Sequence, residues 1–370
     1  QDAMLNQGLV AYPYIETTTA PVAGGILEDE PRIDFSDGCG HLLLEPSRTN
    51  LMEHSEYFGA LDTGSVIPIR LPNAAISPEG IQNAYELGNT NVSNARLRSP
   101  IISSTTGDDL VISIFAKEKD NSTFGFRHQL SGLFEVIFDL SNQTFTSAGS
   151  WTIDAQVEDY GNEWYRCIIY LTATSDYSGT IQMDLSQNDS IYAYGWQIEQ
   201  DATYPTSYIP TYGVSQTRLR DLCIDGGDSN SISNTNGTMF FDFIHGNAMF
   251  GTSDAIGLQG SNGRIILYFS SNNIYGLVQI VDSIGVNFMS AEAFSDGTRY
   301  KIAITYNSSE VKLYKNGQLQ NTMRGVASDL ILSSLNLNAI SASSSGQRHN
   351  QALVFPTALS DDECIALTTI

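Results

Sequence analysis

Oxygen-bearing and aromatic side chains give this chain its chemical possibilities. Asp184, Asn188 and Asp189 fall within one short stretch, and Asp225 and Asp228 within another. Carboxylate and amide oxygens gathered in this way can serve a structural Ca²⁺, a hard cation that collects oxygen ligands. The same residue types are also common turn formers. Trp151 follows the Ser/Gly-rich run Thr146-Ser-Ala-Gly-Ser, and Tyr177 stands in a turn beside Gly179. Rings in such places are expected at the surface, where a flat aromatic face can stack on a sugar ring while Asn, Asp and Arg bond its hydroxyls. Residues of this kind also line the edges of hydrophobic cores. Trp151 and Tyr177 are therefore the candidate glycan platform, and Asp184 and Asp189 the candidate ion ligands.

No catalytic constellation emerges. A hydrolase needs a nucleophile with a base, or two carboxylates across a cleft. The chain contains no GxSxG, and its five histidines, His41, His54, His128, His245 and His349, show no metal or nucleophile spacing. His128 in FGFRHQL and His245 after FFDFI read as hydrogen-bonded structural residues. Neither GxxxxGK[ST] nor a strand-GxGxxG-helix context occurs, so no phosphate loop is expected. Cys39, Cys167, Cys223 and Cys364 form no CxxC pair, which removes zinc knuckles and dithiol redox motifs. The residues read as those of a binding protein and not of an enzyme.

The elements that must position these residues are strands. Thr, Ser, Asn, Gly and Tyr abound while Lys is scarce, a composition that disfavours long helices. In FEVIFDL (134–140), Phe134, Val136, Phe138 and Leu140 share one face and Glu135 and Asp139 the other, the period of a half-buried strand. VISIFAK (111–117), FGFRHQL (124–130), EWYRCIIYLTAT (163–174), TIQMDLS (180–186) and SIYAYGWQIE (190–199) repeat it, with polar turns between. A second set follows the Gly/Asp/Ser/Asn-rich linker 225–234: TMFFDFIH, RIILYFS, IYGLVQIV, RYKIAITYN, EVKLYKNGQLQNT and NQALVFPTAL. Lys315-Asn316-Gly317-Gln318 is a hairpin signal, because Asn-Gly accepts the positive φ values of a type I′ turn. Ser360 before Asp361, Asp362 and Glu363 predicts one short terminal helix with a capping box.

A chain of 370 residues passes the size, about 250 to 300, at which single cores stop growing, and its 41% hydrophobic content can fill two. With 41 acidic against 18 basic residues the net charge is −23, which repels nucleic-acid phosphates. No apolar run reaches the ~20 residues of a membrane-spanning helix, so no membrane insertion is expected. Residues 1–30 show no sustained period and read as an arm, and Gln1 at the start points to a piece of a longer protein. The fold expected is all-β, two consecutive antiparallel β-sandwiches of jelly-roll type with an N-terminal arm and a short C-terminal helix.

The run Leu-Leu-Leu-Glu-Pro-Ser-Arg-Thr-Asn-Leu (42–51), followed by Ser55-Glu56-Tyr57-Phe58, resembles a linker of bacteriophage tail-fibre and head-fibre proteins. Asn162-Glu163-Trp164-Tyr165-Arg166 is similar to that family's NGWYR, with Glu163 in place of Gly, and Tyr194–Glu199 (YGWQIE) to its WGAQLE. Thr206-Ser207-Tyr208-Ile209-Pro210-Thr211 with Thr217-Arg218 resembles the TSYIPT…TR that ends its first module. The run 297–317 and the close at 358–363 resemble a concanavalin-A-like, laminin-G-like lectin domain. The resemblance implies an arm for virion attachment (1–30), a linker motif (31–58), a carbohydrate-binding-module-like sandwich (59–212), a linker (213–237) and a concanavalin-like sandwich (238–370). It further implies a homotrimeric, receptor-binding fibre protein, assembled in the host cytoplasm and carried on the virion surface. Its partners would be a host surface glycan and, through the arm, other virion proteins. A polysaccharide depolymerase or lyase on the concanavalin-like sandwich, or a decoration protein without a ligand, are the alternatives.

Overall fold

Side chains that alternate between core and solvent turn nearly every periodic segment into a strand. A computed structural model describes residues 32–35, 38–130, 132–244, 254–269, 275–281, 286–295, 297–325, 330–337 and 347–370. The expected arm and His245 lie outside them. Two units form, one of Arg48–Arg218 and one that adds the described residues up to Ser47 to Leu219–Ile370. Every strand pair is antiparallel. Among the described residues no helix is long and apolar enough to cross a membrane.

Strands β1 (Arg32–Asp34) and β2 (His41–Leu44) come first in the chain and belong to the second unit. The first unit continues with β3 (Arg48–Asn50), β4 (Asp62–Thr63), β5 (Ile69–Ala75), β6 (Ala84–Gly88), β7 (Ala95–Ser104), β8 (Asp109–Glu118) and β9 (Thr123–His128). It is completed by β10 (Phe134–Asp139), β11 (Thr144–Gly149), β12 (Thr152–Asp159), β13 (Tyr165–Thr172), β14 (Tyr177–Leu185), β15 (Ser190–Gln200) and β16 (Gln216–Arg218). Two six-stranded sheets result, β11-β10-β9-β14-β7-β4 and β12-β13-β8-β15-β6-β5, while β3 pairs with β16. Phe124, Phe126, Phe138 and Met183 from one sheet meet Ile112, Ile114, Ile169 and Trp196 from the other in a single core. Trp196 is completely buried.

The second unit adds β17 (Asn236–Ile244), β18 (Asp254–Gly260), β19 (Gly263–Phe269), β20 (Tyr275–Val281), β21 (Val286–Ala293) and β22 (Arg299–Asn307). Then come β23 (Glu310–Lys315), β24 (Gln318–Arg324), β25 (Ser334–Asn336), β26 (Gln347–Phe355) and α1 (Asp361–Thr368). A seven-stranded sheet, β1-β2-β26-β17-β22-β23-β24, packs on a five-stranded one, β21-β20-β19-β18-β25. The Asn-Gly hairpin forms as expected: Asn316 and Gly317 have φ of 51° and 79°, with Lys315 paired to Gln318. So does the helix. Ser360 and Glu363 complete the capping box, and Cys364 is buried with Phe240, Ala303 and Tyr314 on the outer face of the seven-stranded sheet.

The segment 31–58 does not act as one linker. Its first part supplies β1 and β2, and Leu44 enters the second core, whereas β3 belongs to the first unit. The stretch 213–237 is likewise tied down, because Gly226 exchanges backbone hydrogen bonds with Leu335 and Ile232 is buried. Its few apolar side chains suffice because a neighbouring strand satisfies its backbone.

Two outcomes follow. A chain beginning at Arg48 lacks β2 and Leu44, so calorimetry should show the second sandwich melting about 5 to 10 °C lower. An unchanged transition would show that β2 adds nothing. His349 is buried at 4% exposure, and burial lowers its pKa to about 4. The unfolded chain therefore binds more protons between pH 6.5 and 4, and stability present above that window is lost as pH falls through it. The loss should amount to about 3 kcal/mol, and denaturant titrations of His349→Gln should show a flatter profile over the same range.

Candidate functional site

The outer face of the sheet containing β8, β13 and β15 is closed by the chain's own polar motifs. Beyond the core-facing residues, β13 presents Arg166, β8 Ser113, and β15 Gln197 and Glu199, all buried. Arg166 donates to the Thr206 carbonyl (2.6 Å) and the Ser113 hydroxyl (3.1 Å). The Glu199 carboxylate accepts from the Thr206 backbone N–H (3.1 Å) and hydroxyl (2.6 Å), and Gln197 Oε1 from the Ile209 N–H (2.7 Å). Asn50, at the end of β3, accepts from the N–H groups of Met52 and Ile198 and donates to the Ile209 carbonyl. Ser55 bonds Thr211 in both directions, and its hydroxyl lies 2.6 Å from that of Tyr208. A bulge at Gly195 (φ 63°) turns Tyr194 outward to Phe115 and Tyr208 while Trp196 points into the core. The segments resembling fibre motifs are thus structural, a clamp that holds 206–211 on the sheet.

The opposite outer face differs: exposed Asp62 and Glu135 flank half-buried Arg96, Arg98 and Arg127, while Gln182 and Asp184 are buried among them. On β7, β9, β10 and β14 the alternates of the core residues point away from the core, and the ladders place them in rows. One row runs Glu135, Arg127, Gln182, Arg98, Asp62 across five strands. The next runs Ile137, Gly125, Asp184, Arg96. Asp184 sits between two guanidinium groups, with Arg96 Nε 3.4 Å from Oδ1 and Arg127 Nη1 3.9 Å from Oδ2. Arg98 Nη1 lies 3.2 Å from Asp62 Oδ2. Gly125 leaves space beside Ile137 and Asp184, since a Cβ there would lie 3.5 Å from Ile137 Cγ1 and 3.1 Å from the Val136 carbonyl. No hydrophobic cluster forms over this face among the described residues. Guanidinium forks, carboxylates and an amide in adjacent rows form a hydrogen-bonding surface suited to hydroxyl-rich ligands.

The four residues singled out by sequence occupy three settings. Asp184 belongs to the open face. Asp189 lies in the turn after β14, where its carboxylate accepts from the Ser186 N–H (2.5 Å), Thr123 hydroxyl (3.1 Å) and Asn121 amide (3.2 Å). Burial, with a smaller contribution from the Asp184 charge, raises its pKa above the usual carboxylate value. Among the described residues no three His, Cys, Asp or Glu side chains gather into a metal-holding group. Asp228 is a turn former, capping the N–H groups of Asn230 and Ser231.

Trp151 corrects the expectation of an exposed ring, being only 5% exposed. Gly149 adopts φ 141°, where a Cβ would meet the Leu133 carbonyl at 2.3 Å. That close approach lets Ser150 and Trp151 bond the Leu133 carbonyl and tucks the indole into the core. Tyr177 opens β14 half-buried against it, the ring centroids 6.2 Å apart. Trp164 lies just ahead of β13 instead of within a strand; it is buried and donates to the Ile76 carbonyl. Sequence reading missed Arg96, Arg98, Arg127 and Gln182. The alternation that placed Glu135 on the outer side of its strand was the available signal.

No family model matches the chain, and no curated protein matches it. Partial superpositions exist with solved structures. The CBM40 of the Ruminococcus gnavus IT-sialidase, bound to α2,3-sialyllactose, is 16% identical at a TM-score of 0.31, over 37% of this chain and 84% of that one. Botulinum neurotoxin type C, in a structure describing cell entry through two ganglioside molecules, is 13% identical at 0.31, over 38% and 36%. The heptameric SAP-like pentraxin of Limulus polyphemus is 14% identical at 0.30, over 35% and 68%. Overlaps this partial assign no ligand to the present chain.

Asn50→Ala should destabilise the first sandwich by roughly 3 kcal/mol, since it leaves two N–H groups and a carbonyl buried without partners. Urea unfolding checks this, and a cost below about 1 kcal/mol would show that the clamp does not depend on Asn50.

Proposed function

We propose that this chain is a glycan-adhesion protein of a bacteriophage fibre and that the open face of its first sandwich holds the host surface glycan. One observation carries the reading: arginines, carboxylates and an amide stand in register across five strands around Gly125, on a face over which no hydrophobic cluster forms among the described residues, while the opposite one is closed. Neutral polyols are bound by such directional donors and acceptors placed on a rigid scaffold. The face pairs its carboxylates with arginines and not with each other across a cleft, which favours holding a saccharide over cleaving it. The fibre assignment is supported by the ordered motifs at 42–58, 162–166, 194–199 and 206–218. A homotrimer joined to other virion proteins through the N-terminal arm completes the proposal, because three weak sites on one fibre multiply into firm attachment.

Labelled protein should bind cells of a susceptible bacterium, and Arg127→Ala and Asp184→Asn should each weaken that binding roughly ten- to a hundredfold, while Asp228→Ala leaves it unchanged. Equal binding by all four proteins would sink the assignment to this face.

A further inference from the structure

Where β7 and β9 finish and β10 and β14 begin, three aromatic side chains carry buried polar atoms that have no hydrogen-bond partner among the described residues: Nε2 of His128, Nε1 of Trp151 and Oη of Tyr177. Their rings pack on one another, with His128 3.6 Å from Tyr177 and 5.9 Å from Trp151 between centroids. Ser104, the ladder partner of Tyr177, has a fourth such atom in its hydroxyl. Native interiors rarely leave buried donors unmatched, and a group of them in mutual contact marks a place where an external acceptor belongs.

The donors define that acceptor. His128 Nδ1 lies 2.9 Å from the Leu130 N–H and 3.1 Å from the Leu130 carbonyl; in the tautomer in which Nδ1 accepts the N–H, the ring proton is on Nε2, and burial disfavours the charged imidazolium. Indole N–H, imidazole N–H and the two hydroxyls can all donate, and none of the four residues brings a cation. In a chain of net charge −23 such a site favours a neutral carbonyl oxygen over an anion. The walls are aromatic: Phe134 lies 5.9 Å from both His128 and Trp151. A carbonyl carrying a methyl group satisfies donors and walls together. Tyr177 is the half-buried member, and its ring crosses Gly179 so closely that a Cβ there would fall on its hydroxyl.

Building on the glycan reading above, we infer that Trp151, His128, Tyr177 and Ser104 form a subsite for the N-acyl group of an amino sugar, at the end of the sheet whose outer face carries Arg127 and Gln182. The same strands serve both, since His128 follows Arg127 and pairs with Ile181 beside Gln182.

The test titrates the full chain with N-acetylglucosamine, glucosamine and glucose, following the indole N–H resonance of Trp151, identified by its loss in Trp151→Phe. The N-acetylated sugar alone should shift that resonance and saturate. Tyr177→Phe should weaken the response roughly tenfold while leaving the melting temperature at or above that of the parent, since its hydroxyl has no partner to lose. Equal responses to all three sugars would overturn the inference. So would no response while cell binding still depends on Arg127 and Asp184, and in that case the open-face reading stands. If the parent protein binds no cells and no sugar, the glycan reading falls and this inference with it.

Discussion

The side-chain amide of Asn50 is fully buried and works at both ends, accepting the N–H groups of Met52 and Ile198 while donating to the carbonyl of Ile209. Residues 148 and 159 positions further along the chain meet on that one group. Around it Glu199, Gln197, Arg166 and Ser55 hold residues 206–211 over a sheet, where Tyr208 packs with Phe115 on the outer face. Because the clamp is polar and its members pair with each other, it specifies one placement of the segment, where apolar packing alone would tolerate several. Among the described residues the result is an asymmetric sandwich, with one outer face closed by this clamp and the other bearing no hydrophobic cluster.

That asymmetry organises the charges. The chain is strongly acidic, yet Arg96, Arg98 and Arg127 stand together on the open face of the first sandwich. Asp62 and Asp184 pair with them and Glu135 is the ladder neighbour of Arg127, so the charges on this face are balanced. Fork-shaped guanidinium groups held by carboxylates are also less free to rotate, which lowers the ordering cost of binding.

The fold was legible because its signals are local. Period-2 alternation placed the strands, Asn316-Gly317 placed a hairpin, and Ser360 with Glu363 placed the helix, each within a few residues of itself. The fibre-like motifs were equally visible, but they mark the clamp. The open face was not legible as a site. Asp62, Arg98, Arg127, Glu135 and Gln182 sit on five strands, and only the ladder register sets them side by side. Trp151 was misjudged for a related reason: the Ser/Gly composition before it suits a surface loop, while Gly149 uses its freedom to bring the backbone against Leu133.

Sequence by itself determined an all-β chain with two sandwiches, a net charge hostile to nucleic acid, and the alternation that assigns each strand a core side. Tertiary structure alone decided that the run 31–58 serves both units, that Asp184 lies between two arginines, and that Trp151 turns inward to His128 and Tyr177. The division is physical. Propensity, turn chemistry and capping act over a few residues and are written in order along the chain. A ligand surface is assembled across strands, and its members become neighbours only once backbone hydrogen bonds have fixed the register.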